Sequence, residues 1–286
     1  NTVGASERFK KKRIGILIED LNGVTIDGSG SLFMYHGKMT EFAAINSKKI
    51  KIQNVATDFA TPTVIDLAVE KVDSDTKTAT LLVPKQYNYS LNGNDITWYS
   101  DSSPYSNQRY WITKQSEFSY MQAYDASKQQ TWRAGNPNST IFANVTSIKE
   151  TKSDNASHLK VTYSSPLNKL LKKGMYFQMR LLDRDHPGMF IWKSKDVAIE
   201  KTQIGFLHGF GIVGQHSENI TIDNVRFEAP AETGRSTSGF ADFIQMSGTK
   251  GTIRITNSYF SNPHDDPINV HGTFNEVVEK IAANKI

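Results

Sequence analysis

The sequence predicts an all-β protein, a right-handed parallel β-helix (solenoid) with an antiparallel β-barrel-like domain inserted into it. Three observations support this prediction: a strand pattern that recurs after twenty-odd residues, isoleucines at matching positions of that pattern, and a long central region where the recurrence stops. Self-similarity at such a period is the signature of a solenoid, in which each repeat stacks on its neighbours.

The recurring pattern places two β-branched or apolar residues on either side of one polar residue, which is typical of a strand with period two. Aligning the second apolar residue of each copy gives steps of 26, 23 and 33 residues outside the central region. The longest step requires a loop, and residues 229–236 supply it. The aligned residues are Ile26, Ile52, Ile199, Ile222 and Ile255.

Asparagine follows the pattern at equivalent places, as Asn54, Asn224 and Asn257. Asparagine is common at tight turns because it tolerates unusual backbone angles and bonds to nearby backbone groups. We therefore expect stacked side-chain amides with a structural role at a turn of the solenoid.

The segment between Ile52 and Ile199 is far too long for one solenoid turn, and it contains alternating strand patterns of its own. We expect β-helix coils at residues 1–66, an inserted antiparallel β domain at 67–190, and further coils at 191–286 that continue the first set. Terminal repeats normally carry a cap, and residues 274–286 show none. The chain is therefore expected to be a fragment of a longer protein.

The composition argues against several classes of function. No run approaches the length of a membrane span. The basic run at residues 10–13 lacks interleaved aromatic residues, so nucleic acid is not an expected partner. Residues 201–286 hold seven Lys and Arg against nine Asp and Glu, so an anionic ligand is not expected there. The absence of cysteine excludes disulfides and thiolate metal sites without identifying the compartment.

An acidic cluster is the strongest indication of chemistry. Asp265 and Asp266 are adjacent, and Asp242 precedes Asp265 by 23 residues, which is close to one coil of the solenoid. Stacking would therefore bring all three carboxylates to one patch, although adjacent strand residues converge only where the backbone bends. Pro263 and Pro267 make such a bend plausible.

Clustered carboxylates raise one another's pKa, so one of them keeps its proton near neutral pH. A protonated acid beside an ionised base is what hydrolysis of a glycosidic bond requires. Asp242, Asp265 and Asp266 are therefore the predicted catalytic residues.

His264 and His271 flank the acidic pair, but zinc sites usually offer three His, Cys or Glu ligands in fixed geometry. We expect no metal and no other cofactor there. His264, His271 and Arg235 are instead predicted to contact substrate hydroxyls. The glycine-rich residues 208–214 precede no predicted helix, which disfavours phosphate binding. Residues 183–188 have the composition of a metal or acid–base cluster, but Pro-Gly at their end marks an ordinary turn, so they are expected to form a wall of the cleft.

With these residues in view, the chain resembles the α-1,3-galactosidases of glycoside hydrolase family 110, bacterial enzymes that remove terminal galactose from blood-group-B-type glycans. Thr249 departs from the family pattern, in which cysteine is expected. The matching segments are residues 26–31, 35–39, 193–197, 234–235 and 239–272.

The resemblance implies a parallel β-helix with an inserted barrel, metal-independent hydrolysis with inversion, and essential acids at Asp242, Asp265 and Asp266. The expected partner is a glycan with a terminal α-galactose, and the expected location is secreted or periplasmic. Two alternatives stay open: a polygalacturonase-like β-helix hydrolase, which also uses three carboxylates, and a non-catalytic carbohydrate-binding β-solenoid.

Overall fold

The computed structural model describes residues 12–152, 156–272 and 278–283, and within these ranges the protein is all-β. It contains no α-helix in the described ranges, and therefore no helix that is long and apolar enough to cross a membrane. Among the described residues, three single-turn 3₁₀ helices interrupt the strands, at Gln115–Glu117, Pro137–Ser139 and Ala231–Thr233.

Two parallel sheets contain the recurring strand patterns, and the chain alternates between them. The first has six strands, in the order β1 (Ile14–Glu19), β3 (Thr40–Ile45), β15 (Met189–Trp192), β17 (Ile212–Gln215), β19 (Ile244–Ser247) and β22 (Ile268–His271). The second has the order β2 (Asn22–Tyr35), β4 (Lys48–Phe59), β16 (Lys195–Ile204), β18 (Glu218–Phe227) and β20 (Lys250–Thr256), and β21 (Tyr259–Phe260) also pairs with β18.

The predicted isoleucine ladder is confirmed residue by residue in the second sheet. Each aligned isoleucine is the register partner of the next, from Ile26 through Ile52, Ile199 and Ile222 to Ile255. The ladder packs with apolar residues of the first sheet in one core. Complete burial of an isoleucine side chain, as at Ile52, Ile199 and Ile222, contributes about 1.5–3 kcal/mol, so the repeat that marks the sequence also stabilises the stacked strands.

The asparagines that follow the ladder adopt the left-handed backbone conformation, with φ of 54°, 54° and 52° for Asn54, Asn224 and Asn257. This conformation supports a structural role, because asparagine enters the left-handed region more readily than most residues. The amide contacts differ from those expected. Asn54 Nδ2 donates to the carboxylate of Asp27, and Asn257 Nδ2 donates to Asp223 Oδ1 at 2.8 Å.

The chain between β4 and β15 forms two antiparallel sheets. The larger has seven strands, in the order β11 (Gln130–Gly135), β10 (Tyr120–Asp125), β14 (Met175–Arg180), β5 (Ile65–Asp73), β6 (Thr78–Pro84), β13 (Ala156–Tyr163) and β12 (Val145–Lys152). The smaller has three, in the order β7 (Asn88–Asn92), β8 (Asp95–Tyr99) and β9 (Ile112–Lys114).

The barrel-like closure expected for this region is not found among the described strands. The seven-stranded order ends at β11 and β12, which do not pair with each other, so the sheet is open. The physical reason lies in the core, where Ile96 and Trp98 of β8 pack with Leu67, Leu81 and other residues of the large sheet. A second packed sheet, and not hydrogen-bonded closure, covers the apolar face.

Candidate active site

The acidic residues precede two neighbouring parallel strands. Asp242 lies two residues before β19, Asp265 lies three residues before β22, and these strands pair in register. The Phe243 amide also donates to the Asp266 carbonyl at 3.1 Å, which extends the pairing into the acidic segments. The predicted stacking of these segments therefore occurs in the structure.

Arg184 joins two of the predicted catalytic carboxylates. Its Nη1 lies 3.4 Å from Asp242 Oδ1, and its Nη2 donates a hydrogen bond to Asp265 Oδ2. The guanidinium also lies over the ring of Phe210, with 5.1 Å between its carbon and the ring centroid. Arg133 of β11 approaches Asp265 Oδ1 at 3.8 Å. Both carboxylates therefore converge on one cation.

The environment of Asp242 suits a base. Burial raises the pKa of Asp242, the negative charge of Asp265 raises it further, and Arg184 and the Asn269 amide act in the opposite direction. A carboxylate with a raised pKa accepts a proton more strongly than an exposed one, and efficiency grows as its pKa nears the working pH. In the described residues, the hydrogen bonds to the side chains of Asp242 and Asp265 come from other side chains.

Asp266 and His271 lie at the open side of this region. The Asp266 side chain is exposed, and its charge also contributes to the raised pKa of Asp242. Gln245 Nε2 lies 3.3 Å from His271 Nε2, and His271 Nδ1 lies 2.7 Å from the Gly272 carbonyl. These contacts fit one neutral tautomer, in which Nε2 accepts and Nδ1 donates. His271 is half-buried, in a position from which a ligand could be reached.

His264 is placed differently from the other predicted residues, because its side chain is 1% exposed and both ring nitrogens are bonded within the protein. Arg180 Nε donates to His264 Nδ1 at 3.2 Å, and His264 Nε2 donates to Gln178 Oε1 at 2.9 Å. Burial, together with the charges of Arg180 and Arg184, holds the pKa of His264 well below its ordinary value. The imidazole is therefore neutral, and its substrate contact stays a prediction.

The antiparallel sheet that binds the His264 ring also holds the backbone before Asp265. Tyr120 donates its hydroxyl hydrogen to the His264 carbonyl at 3.0 Å, and Gln122 Nε2 donates to the Pro263 carbonyl at 3.0 Å. Both residues lie on β10, next to β14. The large antiparallel sheet therefore positions the acidic loop through ring and backbone contacts together.

The segment before Asp242 is fixed by a different carboxylate. Asp66 of β5 accepts hydrogen bonds from the backbone amides of Ser236 and Thr237 and from the Ser236 hydroxyl. Burial raises the pKa of Asp66 to about 6, although these hydrogen bonds act against the rise. This capping role differs from the surroundings of Asp242, whose partners are side chains.

Arg235 lies in a buried ion pair. Its Nη2 donates to Asp58 Oδ2 at 2.6 Å, its Nη1 lies 3.3 Å from the Gly205 carbonyl, and the residue is 6% exposed. Removing one partner from such a pair leaves an uncompensated buried charge, which costs about 3–5 kcal/mol. In the structure Arg235 therefore stabilises the fold around the site, and its predicted contact with substrate stays a prediction.

No family model matches the chain. Curated proteins do match it over nearly its whole length. An α-1,3-galactosidase A of Streptomyces avermitilis is 42% identical over 282 residues, which are 98% of this chain and 44% of that protein. The α-1,3-galactosidase A of Peterkaempfera griseoplana is 42% identical over 279 residues, 96% of this chain and 37% of that protein.

A more distant relative, the α-1,3-galactosidase A of Bacteroides thetaiotaomicron, is 32% identical over 277 residues, 96% of this chain and 44% of that protein. The chain is a homologue of the α-1,3-galactosidases. The resemblance predicted from residues 239–272 and the shorter segments is thus confirmed. The chain spans less than half the length of these curated relatives.

Sequence reasoning about this α-1,3-galactosidase homologue missed Arg184, Arg180 and Gln178. Arg184 is 58 residues from Asp242 and 81 from Asp265, so no local pattern links them. A weak signal exists in β14, where Gln178 and Arg180 alternate with apolar residues on a strand between two others. Both are nevertheless buried, which shows that their face also packs against protein.

The buried neutral His264 predicts a pH dependence of stability. Its folded pKa lies well below the ordinary value, whereas the unfolded chain takes up this proton near pH 6.5. The contribution of neutral His264 to the free energy of unfolding is therefore fully present above about pH 6.5. It is lost as the pH falls toward the folded pKa, with a limiting slope of about 1.4 kcal/mol per pH unit.

Urea unfolding of the full-length protein between pH 7 and 5 measures this slope. We expect His264→Gln to flatten the pH dependence relative to the unmodified protein, and His216→Gln, at an exposed histidine, to leave it unchanged. A His264→Gln protein with the same slope as the unmodified protein would contradict the buried neutral state.

Proposed function

We propose that the full-length protein is a glycoside hydrolase that releases terminal galactose from α-1,3 linkages. Its relatives named α-1,3-galactosidase support a galactosidase function. The observation that carries the proposal is the convergence of Asp242 and Asp265, from adjacent parallel strands, on Arg184. The proposal concerns the whole protein, because this chain covers less than half of those relatives.

We also propose how the sheets of the chain are arranged. The two parallel sheets would be the walls of a right-handed parallel β-helix, with coils at 1–66 and 191–286 and an inserted domain at 67–190. The alternation of the chain between the sheets and their shared core support this view. A secreted or periplasmic enzyme, acting on glycans of the blood-group-B type outside the cytoplasm, fits the same proposal.

The proposed reaction inverts the anomeric carbon. Inversion needs an acid and a base about 6.5–9.5 Å apart, with space for a water molecule. The water oxygen attacks the anomeric carbon, and Asp242, together with one member of the Asp265–Asp266 pair, accepts the proton that the water loses. The other member gives its proton to the glycosidic oxygen as that bond to carbon breaks. The raised pKa of Asp242 supports its role as base.

The remaining predicted residues have separate parts in this proposal. His271 contacts a sugar hydroxyl from the half-buried position at the end of β22. His264 and Arg235 act through the loops that they hold, since both are buried and bonded within the protein. Arg184 takes the part that sequence reasoning left unassigned, because its guanidinium binds both Asp242 and Asp265 and so fixes their relative position until substrate arrives.

A polygalacturonase-like activity is the second candidate, and one observation favours it. Arg184 and Arg133 both lie beside Asp265, and a uronate substrate needs cations in its subsite. Each arginine is already paired with a carboxylate in the structure, however, so neither supplies an excess positive charge. Assaying polygalacturonate and an α-1,3-galactoside side by side separates the two candidates.

The catalytic assignment predicts that Asn at position 242, 265 or 266 reduces kcat/KM by several orders of magnitude in the full-length protein while leaving circular dichroism unchanged. The proton donor is identified by a comparison of leaving groups. An acid variant loses little activity on an α-galactoside with an activated aryl leaving group, because that group departs without protonation.

Asp242→Asn should lose activity on both the activated and the natural substrate, since a missing base affects each. Asp125→Asn, at the half-buried hairpin aspartate that ends β10, is the matched control and should keep full activity. Near-normal turnover by the variants of Asp242 and Asp265 would overturn the assignment.

Arg184 offers a test through the pH profile. Its charge lowers the pKa of Asp242, so Arg184→Gln should raise that pKa and move the acidic limb of kcat/KM to higher pH. Arg133→Gln is the matched control, because Arg133 lies beside Asp265 and its charge does not contribute to the pKa shift of Asp242. An acidic limb that stays in place in Arg184→Gln would exclude Asp242 as the base.

A further inference from the structure

A second cluster of side chains lies beside Arg184 and takes no part in the proposed hydrolysis. Asp185 Oδ1 lies 2.7 Å from His208 Nε2 and 3.2 Å from His186 Nδ1. One ligand atom from each residue falls within 4.8 Å of the others. The side chains are 15%, 10% and 1% exposed, respectively, so the cluster is largely shielded from water and still reachable at one side.

We propose that Asp185, His186 and His208 bind one divalent transition-metal ion of the Zn²⁺ or Co²⁺ type. Two imidazole nitrogens and one carboxylate oxygen are a donor set that these ions use, with water in the fourth position. Imidazole ligands disfavour Mg²⁺ and Ca²⁺, which prefer oxygen. The proposal does not rest on the galactosidase activity, because binding is measured without substrate.

His186 gives the first independent indication of a ligand. Its Nδ1 is buried and makes no hydrogen bond within the described residues, although Asp185 Oδ1 is 3.2 Å away. An unsatisfied buried polar atom destabilises the fold, and such atoms in native structures commonly indicate an ion or water. A metal ion between the Asp185 oxygen and the imidazole nitrogens would satisfy this atom.

The backbone brings the two histidine segments unusually close. Gly209 has φ of +65°, and a Cβ atom at this position would lie 1.6 Å from the His186 carbonyl oxygen. The Phe210 amide donates to the same carbonyl at 3.0 Å. Only glycine, which has no Cβ atom, can lie at position 209 this close to the His186 carbonyl. The glycine after His208 therefore supports the approach of the two imidazoles, whose ring centroids are 5.4 Å apart.

Thr63 supplies the outer contact that metal-bound histidines usually have. Its Oγ1 lies 2.7 Å from His208 Nδ1. When His208 Nε2 binds the ion, Nδ1 carries the proton and donates it to the hydroxyl oxygen. Such an outer hydrogen bond fixes the tautomer and ring orientation, and its loss typically weakens metal binding about 10–100-fold.

Lys38 is the feature that opposes a cation. Its Nζ lies 3.8 Å from Asp185 Oδ2, which is the oxygen turned away from the histidines, and Lys12 is within electrostatic range. Both charges reduce the attraction for a metal ion. Oδ1 remains directed at the histidines, so the geometry for binding is kept while the affinity is reduced.

Binding would act on the catalytic region through the chain. Arg184 is directly followed by Asp185, so an ion on the cluster would restrict the backbone that carries the guanidinium. The ion is a structural one in this proposal and enters no step of hydrolysis.

The experiment titrates Zn²⁺ and Co²⁺ into chelator-treated full-length protein, by calorimetry and by the visible absorption of Co²⁺. We expect one equivalent to bind, thermal unfolding to shift upward with metal concentration, and Mg²⁺ to have no effect. His186→Gln should abolish the binding, and Thr63→Val should weaken it about 10–100-fold. His216→Ala, at an exposed histidine outside the cluster, should bind like the unmodified protein.

His186 is buried, so circular dichroism verifies that the His186→Gln protein is folded, and the weaker binding expected of Thr63→Val tests the same site with a second variant. Folded unmodified protein that binds neither ion would overturn the proposal. One equivalent of binding that survives in His186→Gln, or that is lost in His216→Ala, would overturn it as well.

Discussion

The arrangement of the site depends on the hydrogen bonds of one buried neutral imidazole, the side chain of His264. It lies where the large antiparallel sheet meets the loop before β22, and each ring nitrogen has one partner on β14. A buried polar group that loses its partner costs free energy, so a fully bonded buried network fixes one geometry. The Tyr120 and Gln122 contacts to the same loop extend that network to the backbone. Asp265 follows directly, so its position derives from these contacts.

The same sheet also fixes the segment that leads to Asp242. Asp66 binds the amides after Arg235, and Asn262 Nδ2 donates to the Ser236 carbonyl at 2.7 Å. The two acidic segments are therefore tied both to the antiparallel sheet and to each other. Three buried carboxylates nearby have three different tasks: Asp66 caps amides, Asp58 neutralises Arg235, and Asp242 faces Arg184. Only Asp242 pairs with an arginine that is itself partly exposed, since the side chain of Arg184 is 27% exposed and that of Arg235 is 1% exposed.

Local patterns predicted the parts of the fold that local forces determine. The isoleucine ladder follows from a period of two within strands and a period of about one coil between them, and its register is as expected. The proximity of Asp242 and Asp265 follows from the same period. The open antiparallel sheet was not predictable, because its closure depends on how β7 to β9 pack against it.

Contacts between distant segments account for the rest. Arg235 is predicted to contact substrate, and the structure adds a pairing that the sequence does not indicate, with Asp58, 177 residues away. His264 is predicted to contact substrate because it adjoins the acids, and the sequence does not indicate that residues of β14 bind both of its ring nitrogens. Nothing in residues 183–188 indicated that Arg184 would reach Asp242 and Asp265. Pairings of this range are set by tertiary packing, which a single sequence does not display.

The most direct test of the central claim, an inverting galactosidase with Asp242 and Asp265 at one site, is the anomer released first. Full-length protein is mixed with an α-1,3-linked galactoside, and the product is followed by proton NMR before mutarotation. We expect β-galactose as the initial product, and no galactose from Asp242→Asn. Initial release of α-galactose, or release of no galactose by the unmodified protein, would contradict it.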